Sequence, residues 1–504
     1  MKTFKELIKN YDNIDISKIS KECINTNIKN ISYNSKLIKK EYIFIAIKGI
    51  KDDGHKYIES AIENKASIII YDLKADKKYI KELQNKYNKI HFVGVKNTRE
   101  ILAYISKKLY DEPTKKINTI AITGTNGKTT ISYLLKSILE ANKNKTTLIG
   151  TIKNMIGKTI IKTNLTTPES IDLESIFDKS IKKQVSHIVM EASSQALDMN
   201  RCDYLDFDTA IFTNITEDHL DYHIDMKKYL NAKLKLFNLL KLSSKKKKLV
   251  ILNIETDKFK TIKNYIDKLS LPIVTYGLTD KADYYGKVIS LNAKKTEFEF
   301  YAKGKYIANI KLSLLGRFNV LNALSVLAYA YENKLDMNKT IKSISKVKVD
   351  GRFEIVTEEK DPFIVTVDYS HTPDSLENIL VESRKLNPNR IIVVFGCGGD
   401  RDRKKRPIMA EIAEKYADKV VVTLDNPRTE NIEQIINDIE SGFQSKESFN
   451  TILDRKEAIK FAIEEAKEND IVIIAGKGHE TYQIFADKTI DFDDREVVRE
   501  ILKN

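Results

Sequence analysis

The sequence predicts an α/β protein of several domains, on three observations. Short β-branched apolar runs alternate with amphipathic helical stretches along the whole chain. One such run, within 117–140, passes through a glycine-containing loop straight into a helical pattern. Several later runs end in Gly- or Asp-rich turns, as parallel strands do at their ligand-binding ends. At 504 residues, and roughly 100 to 200 residues per domain, the chain holds about three domains, each able to bury its own core.

Residues 1–113 carry the first alternation, with strand-like runs at 42–47, 67–72 and 90–95 and the helical stretch YIESAIENKA between the first two. Asp111-Glu112-Pro113-Thr114 closes this unit, because proline disfavours helical backbone at the residue before it. The second unit, 114–345, opens with INTIAITGTNGKTTISYLLKSILE and continues through the apolar runs HIVM, AIF and LVILNI. It ends in the helical stretch NVLNALSVLAYAYENKL and a basic connector at 339–348. The third, 346–504, repeats the alternation from PFIVTVDYSHTP, with strands ending in FGCGGD, LDNPR and AGKGHE.

Composition narrows the class. Hydrophobic residues at 42% and charged residues at 31% lie in the globular range, away from the corner where chains stay disordered. The net charge of +14 is a small excess of 85 basic over 71 acidic residues, which suits anionic ligands without calling for nucleic acid. Cys23, Cys202 and Cys397 are odd in number and far apart, so neither a disulfide framework nor a zinc site is indicated. No stretch approaches the roughly 18 apolar residues of a membrane span. A cytoplasmic monomer is expected, with no nucleic-acid partner and no membrane insertion, and the run Lys245 to Lys248 reads as a solvated turn.

The chemistry concentrates in a few segments. Gly124-Thr125-Asn126-Gly127-Lys128-Thr129-Thr130 lies between a strand and a helix, where backbone N–H groups, the helix dipole and a lysine can face phosphates and Thr129 can bind Mg²⁺. It departs from the strict phosphate-loop pattern, since Ile122 stands where the first glycine belongs. Glu191 ends a strand before two serines, placed either for a metal or as a helix cap. The segment 213–223 gathers His219, His223 and several acids, which suits a metal or phosphate contact or a polar loop with capping acids. Lys233 shares a helical stripe with Tyr229 and Phe237, so it either snorkels to solvent or is a desolvated amine able to take up CO₂ as a carbamate. In the third unit, Arg401, Asp425-Asn426-Pro427-Arg428 and Gly476-Lys477-Gly478-His479-Glu480 combine guanidinium groups with acids, a set suited to a zwitterion.

Taken together, GTNGKTT, MEASS, TNITEDHLDYH, the AK of Lys233, GRFNVLNAL, DYSHTPDSLE, FGCGGDRDRKKRP, DNPR and GKGHE stand in an order and spacing that resemble the Mur ligases, and most closely the branch that adds the third peptide residue. The resemblance implies an α/β, three-domain architecture: a UDP-substrate domain, a central P-loop ATPase domain and a Rossmann-like C-terminal domain receiving the amino acid. It implies two Mg²⁺ ions, one on Thr129 and Glu191, the other on His219 and a carbamate of Lys233, with Lys128, His219 and Lys233 catalytic. It also implies ATP held by 124–130, Asn319, Asn322, Arg352 and Asp368. Ser35, Asn164, Thr166, Thr167, Ser193 and Arg201 match contacts to UDP-MurNAc-L-Ala-D-Glu. Arg401, Asp425, Asn426, Arg428, Gly476 and Glu480 match contacts to meso-diaminopimelate, whose distal carboxylate Arg428 would pair with. Lysine at that place would strand the guanidinium, at a cost of roughly 3 to 5 kcal/mol in a dry site; lanthionine would not.

Three positions depart from the pattern: Asn34-Ser35-Lys36 replaces Asp-Ser-Arg, Gln195 stands where His is frequent, and Asp350 replaces a proline. Two other readings weigh less. A folylpolyglutamate synthase shares the GTNGKTT loop but does not call for DNPR and GKGHE, and a basic nucleic-acid-binding ATPase explains the charge alone.

Overall fold

The computed structural model describes residues 1–504 except 50, 51, 164, 293, 294, 359 and 504, so the assignment of Asn164 lies outside the described residues. The first unit is a parallel sheet, β1 (Asn30–Ser32), β2 (Tyr42–Ile45), β3 (Ile68–Asp72) and β4 (His91–Val95), paired in sequence order. Helix α1 (Thr98–Leu109) follows, its start fixed by Asn97, whose side chain accepts from the N–H groups of Arg99 and Glu100. The break after it is a tight turn rather than an open linker. Asp111 and Glu112 take left-handed backbone, Pro113–Lys116 form one 3₁₀ turn, and Pro113 and Thr114 are buried.

The central unit is built on β5 (Asn118–Thr123), followed by α2 (Lys128–Ala141), β6 (Thr146–Ile149), β7 (Asn154–Ile156), β8 (Thr159–Ile161), α3 (Ser170–Lys182), β9 (His187–Glu191), β10 (Thr209–Phe212), α4 (Met226–Leu242), β11 (Leu249–Asn253) and β12 (Ile273–Gly277). The antiparallel meander β13 (Tyr284–Asn292), β14 (Lys295–Ala302) and β15 (Lys305–Leu312) and helix α5 (Arg317–Glu332) complete it. Among the described residues these strands form one sheet in the order β8-β7-β6-β9-β5-β10-β11-β12-β13-β14-β15, parallel from β6 to β13. Its central strands read as continuous apolar runs because both faces are covered, by α2 and α5 on one side and α3 and α4 on the other.

Two expectations fail here. The basic stretch at 339–348 is not a bare connector, because Asp336 caps a helix over Met337–Ile344 that buries Thr340 and Ile344 and turns its lysines outward. Nor is the lysine run a solvated turn throughout: Lys245 reaches the Ile117 carbonyl at 2.7 Å and Asp208 at 3.3 Å.

The third unit holds β16 (Glu354–Ile355), β17 (Ile364–Asp368), α6 (Pro373–Arg384), β18 (Ile391–Phe395), α7 (Lys405–Tyr416), β19 (Lys419–Val422), β20 (Phe449–Thr451) and β21 (Ile471–Ala475). They pair as β16-β17-β21-β18-β19-β20, all parallel but β16, so the loops after β17, β18, β19 and β21 gather at one edge. The three cysteines are free and buried. Among the described residues no helix is long and apolar enough to cross a membrane.

Candidate active site

β5 delivers the chain to the phosphate-type loop, and two glycines give that loop its shape. Gly124 (φ 144°) and Gly127 (φ 86°) hold backbone that side-chain-bearing residues rarely adopt. A Cβ on the first would collide with Thr213 Oγ1, and one on the second with Asn322 Oδ1. The loop is clamped from β10: Asn126 N–H donates to Asn214 Oδ1 (2.8 Å), and Thr213 Oγ1 donates to the Asn126 carbonyl (2.6 Å). Ile131 N–H makes the first bond of α2, to Gly127 C=O, so the N–H groups of 128–130 lie outside the helix's own bonding. Among the described residues Lys128 Nζ donates to the carbonyls of Gly124 (2.9 Å) and Thr125 (2.7 Å) and to no acid, and desolvation lowers its pKa. A half-buried cation so placed, beside free helix amides, fits a polyphosphate.

Glu191 closes the other wall. It is fully buried, and it accepts from Thr129 Oγ1 (3.0 Å), Thr151 N–H (3.0 Å) and Thr151 Oγ1 (2.9 Å). The helix after it is capped by Ser193, which accepts from Ala196 N–H, so Glu191 is not the cap. A carboxylate against Thr129 and the loop is a donor set suited to Mg²⁺. Thr151 carried no motif, and only its place at the end of β6 could have flagged it.

Lys233 is 1% exposed and does not snorkel. Its amine donates to Gly124 C=O (2.7 Å) and lies 4.4 Å from the Tyr229 ring centroid, and burial, with Lys128 second, holds its pKa well below the usual lysine range. His219, in left-handed backbone, has its ring 6.2 Å from that of Tyr229 and its Nε2 3.4 Å from Asp218 Oδ2, and desolvation lowers its pKa. Among the described residues no three His, Cys, Asp or Glu side chains gather as a ready metal cage. A carbamate on Lys233 would add an anion to this part of the site. His223 instead bonds Ser194 Oγ at 3.0 Å.

Of the residues matched to the UDP-substrate, Thr166, Thr167 and Ser193 gather beside Glu191. Thr167 Oγ1 donates to the Glu191 carbonyl (2.7 Å), Thr166 and Thr151 hydroxyls meet at 3.2 Å, and Ser193 N–H donates to Thr167 Oγ1 (3.2 Å). Arg201 Nη1 donates to Thr167 C=O at 3.2 Å, and its Nε lies 2.9 Å from Glu169. Ser35 is buried in a 3₁₀ turn capped by Asn34, while Lys36 is exposed.

From the nucleotide side, Asn319 bonds Leu315 C=O and Asn322, and Asn322 faces Gly127. Arg352 Nη2 reaches Thr129 Oγ1 at 3.3 Å, with its guanidinium 4.7 Å from the Tyr369 ring centroid. Asp368 is spent on the turn that carries Arg352, accepting from the N–H groups of Phe353 (2.6 Å) and Ser370 (2.8 Å).

At the β19 and β21 ends, Asn426 Nδ2 donates to Glu480 Oε2 (2.9 Å), and Lys477, fully buried, donates to Asn426 Oδ1 (3.1 Å). Gly476 is required, because a Cβ there would meet Asp425 Oδ2 at 2.6 Å. Burial, then the charge of Asp425, raises the Glu480 pKa, an acid pair that an ammonium would relieve. Arg428 takes left-handed backbone and donates to Gly399 C=O (2.8 Å), and among the described residues it pairs with no carboxylate. Arg401 is exposed and joins none of these residues by a hydrogen bond or ion pair among the described residues. Lys477 stood inside a motif without an assigned role.

Known proteins resemble this chain in sequence and fold. The family described as Mur ligase middle domain matches residues 122–330, Mur ligase, glutamate ligase domain matches 351–478, and Mur ligase family, catalytic domain matches 27–110. A protein of Caldanaerobacter subterraneus subsp. tengcongensis named UDP-N-acetylmuramoyl-L-alanyl-D-glutamate–2,6-diaminopimelate ligase is 42% identical over 479 residues, covering 95% of each chain. One of the same name from Clostridioides difficile is 42% identical over 493 residues, covering 97% of this chain and 98% of its own. A solved structure of a ligase of that name superposes with a TM-score of 0.68 at 29% identity, over 100% of this chain and 99% of the other.

Proposed function

The chain belongs to the Mur ligase family, and on that premise we propose that it joins an amine of meso-diaminopimelate to the γ-carboxylate of D-Glu in UDP-MurNAc-L-Ala-D-Glu, consuming ATP, in peptidoglycan synthesis. The observation that carries the reading is a continuous run of contacts between two sheets. Thr129 of the phosphate loop meets Arg352, Arg352 lies over Tyr369, and the Tyr369 ring is 5.0 Å from that of His479, next to Glu480. Phosphoryl transfer and amine capture therefore share one crevice.

Lys128, Arg352 and the amides of 127–130 would hold the phosphates, and Asn319 and Asn322 the adenine side. Thr129 and Glu191 would hold one Mg²⁺, and His219 with a carbamate of Lys233 a second. ATP would supply the phosphoryl group that activates the carboxylate, and Mg²⁺ held by these residues would supply charge neutralisation. Lys233 suits carbamate formation because its depressed pKa favours the neutral amine that reacts with CO₂. Thr166, Thr167, Ser193, Arg201 and Ser35 would orient the UDP-substrate. Asp425 and Glu480 would take the ammonium of the incoming amino acid and Arg428 its distal carboxylate, with Asn426 fixing Glu480.

The test is phosphate release from ATP and Mg²⁺ with UDP-MurNAc-L-Ala-D-Glu and each of meso-diaminopimelate, lanthionine and L-lysine. Release is expected with the two diamino diacids and little with lysine; release favouring lysine overturns the role of Arg428, and none at all overturns the ligase reading. Arg428→Ala is expected to raise KM for diaminopimelate roughly 10- to 100-fold, the range for losing a charge-assisted pair, with ATP binding unchanged.

A further inference from the structure

One carboxylate reaches the phosphate loop from the opposite sheet. Asp374, in the first turn of α6, accepts at Oδ2 from Asn126 Nδ2 (2.8 Å) and from Thr216 Oγ1 (2.8 Å). Asn126 is the loop residue already clamped by Thr213 and Asn214, and Thr216 hydrogen-bonds through its backbone to Thr125 Oγ1 (3.1 Å). Arg352 bears on the same loop three residues further on, at Thr129. The third unit thus grips the loop at both ends, with a cation after Lys128 and an acceptor before it. Burial is the first cause of the raised pKa of Asp374, with Thr216, Asn126 and Asn378 acting against it as hydrogen-bond partners and Asp218 adding to it.

An anion is a poor ligand for phosphate, so the value of Asp374 to this site is positional. We propose that Asp374 is a positioning residue that seats the amine-binding unit on the phosphate loop, so that the activated carboxyl meets the incoming amine and not water. The inference rests on the ligase reading above. When the amine attacks, the acyl–oxygen bond breaks, the amide forms and phosphate leaves with one proton lost from nitrogen. When water attacks, the same bond breaks, phosphate leaves and the free carboxylate returns, so ATP is consumed without product.

The readout is the ratio of phosphate released to amide product formed, with the full-length protein, ATP, Mg²⁺, UDP-MurNAc-L-Ala-D-Glu and diaminopimelate. Wild-type protein is expected near one to one. Asp374→Ala is expected to lower kcat for amide formation by about tenfold, the scale of two lost hydrogen bonds, and to raise the ratio severalfold while KM for ATP stays within about twofold. Asp374→Asn keeps an oxygen that accepts from both donors and should restore the ratio to near one. Should Asp374→Ala fold poorly by thermal melting, Thr216→Val removes one donor without changing side-chain shape and should raise the ratio by a smaller factor. A ratio that stays at one in both Asp374→Ala and Thr216→Val, or one that Asp374→Asn leaves as high as Asp374→Ala does, overturns the role. Wild-type protein that forms no amide sinks the ligase reading instead, and the two failures are distinct.

Discussion

The central unit meets its two neighbours in different ways. Toward the first unit the joint holds mostly buried charged pairs. Glu169 lies between Arg99 (3.0 Å) and Arg201 (2.9 Å), Lys107 pairs with Asp206 (3.2 Å), Tyr104 packs edge-on to Tyr204, and Ile171 of α3 belongs to the first unit's own core. Toward the third unit, Leu315 and Phe318 pack against Phe353, and among the described residues the polar contacts end mainly on the phosphate loop or at the surface: Arg352 on Thr129, Asp374 on Asn126 and Thr216, Arg317 N–H on Glu382, Lys153 with Asp350. Both joints share core residues, so what differs is the polar contact, and a joint held by buried ion pairs keeps a fixed relation between units. One whose bonds converge on a ligand loop lets closure depend on that loop, which is what a reaction needing a transiently dry crevice requires.

The largest test of that contrast is Glu174, in α3 at the first joint. It is 1% exposed, and neither carboxylate oxygen finds a hydrogen-bond partner among the described residues. Burial pushes its pKa up to about 8, with Lys107 opposing and Asp206 and Glu112 adding to the rise. The folded value lies above the unfolded one, near 4.5, so the stabilisation of the protonated acid is complete below that pH and is lost as pH rises through about 8. Denaturant unfolding is expected to show a loss on the order of 4 kcal/mol from this group between pH 5 and pH 8.5, and Glu174→Gln should lack it. Identical pH slopes in the two proteins would mean that this joint is wet, and the contrast would fail.

Next is Glu169→Ala, which strands two mostly buried guanidinium groups and should destabilise the fold by about 3 kcal/mol. Because Arg201 also touches Thr167, KM for the UDP-substrate should rise with it. A destabilisation under about 1 kcal/mol would place this joint with ordinary surface pairs.

Legibility in the sequence follows how locally each feature is encoded. The phosphate loop, Glu191 and the DNPR and GKGHE turns are contiguous strings at strand ends, so residue type and place were enough to single them out. Lys233 was half legible: its stripe with Tyr229 and Phe237 marked the face, but only the packing of α4 against the loop shows that the amine cannot reach water. Glu169, Glu174 and Asp374 were silent, because their partners sit 32 to 248 residues away or, for the Glu174 carboxylate, are absent among the described residues. The helix at Met337–Ile344 was hidden by its lysines, since two buried positions one turn apart, Thr340 and Ile344, are too few to announce a period. Lys245 misled for the opposite reason, sharing a run with exposed neighbours while reaching back to Ile117 and Asp208.

The smallest expected effect sharpens the comparison from the other side. Lys153 and Asp350 make an ion pair across the second joint, at 3.1 Å, but their side chains are 42% and 40% exposed. Solvent screens such a pair, and holding two flexible side chains in one geometry offsets most of the Coulomb gain. Asp350 also has Arg495 at 3.8 Å, so removing Lys153 leaves the carboxylate a partner. Lys153→Ala should therefore change unfolding free energy by no more than about 0.5 kcal/mol, and raising salt should remove that difference. A loss of 2 kcal/mol that persists in high salt would show a second joint clamped as firmly as the first, and closure could then no longer be assigned to the contacts on the phosphate loop.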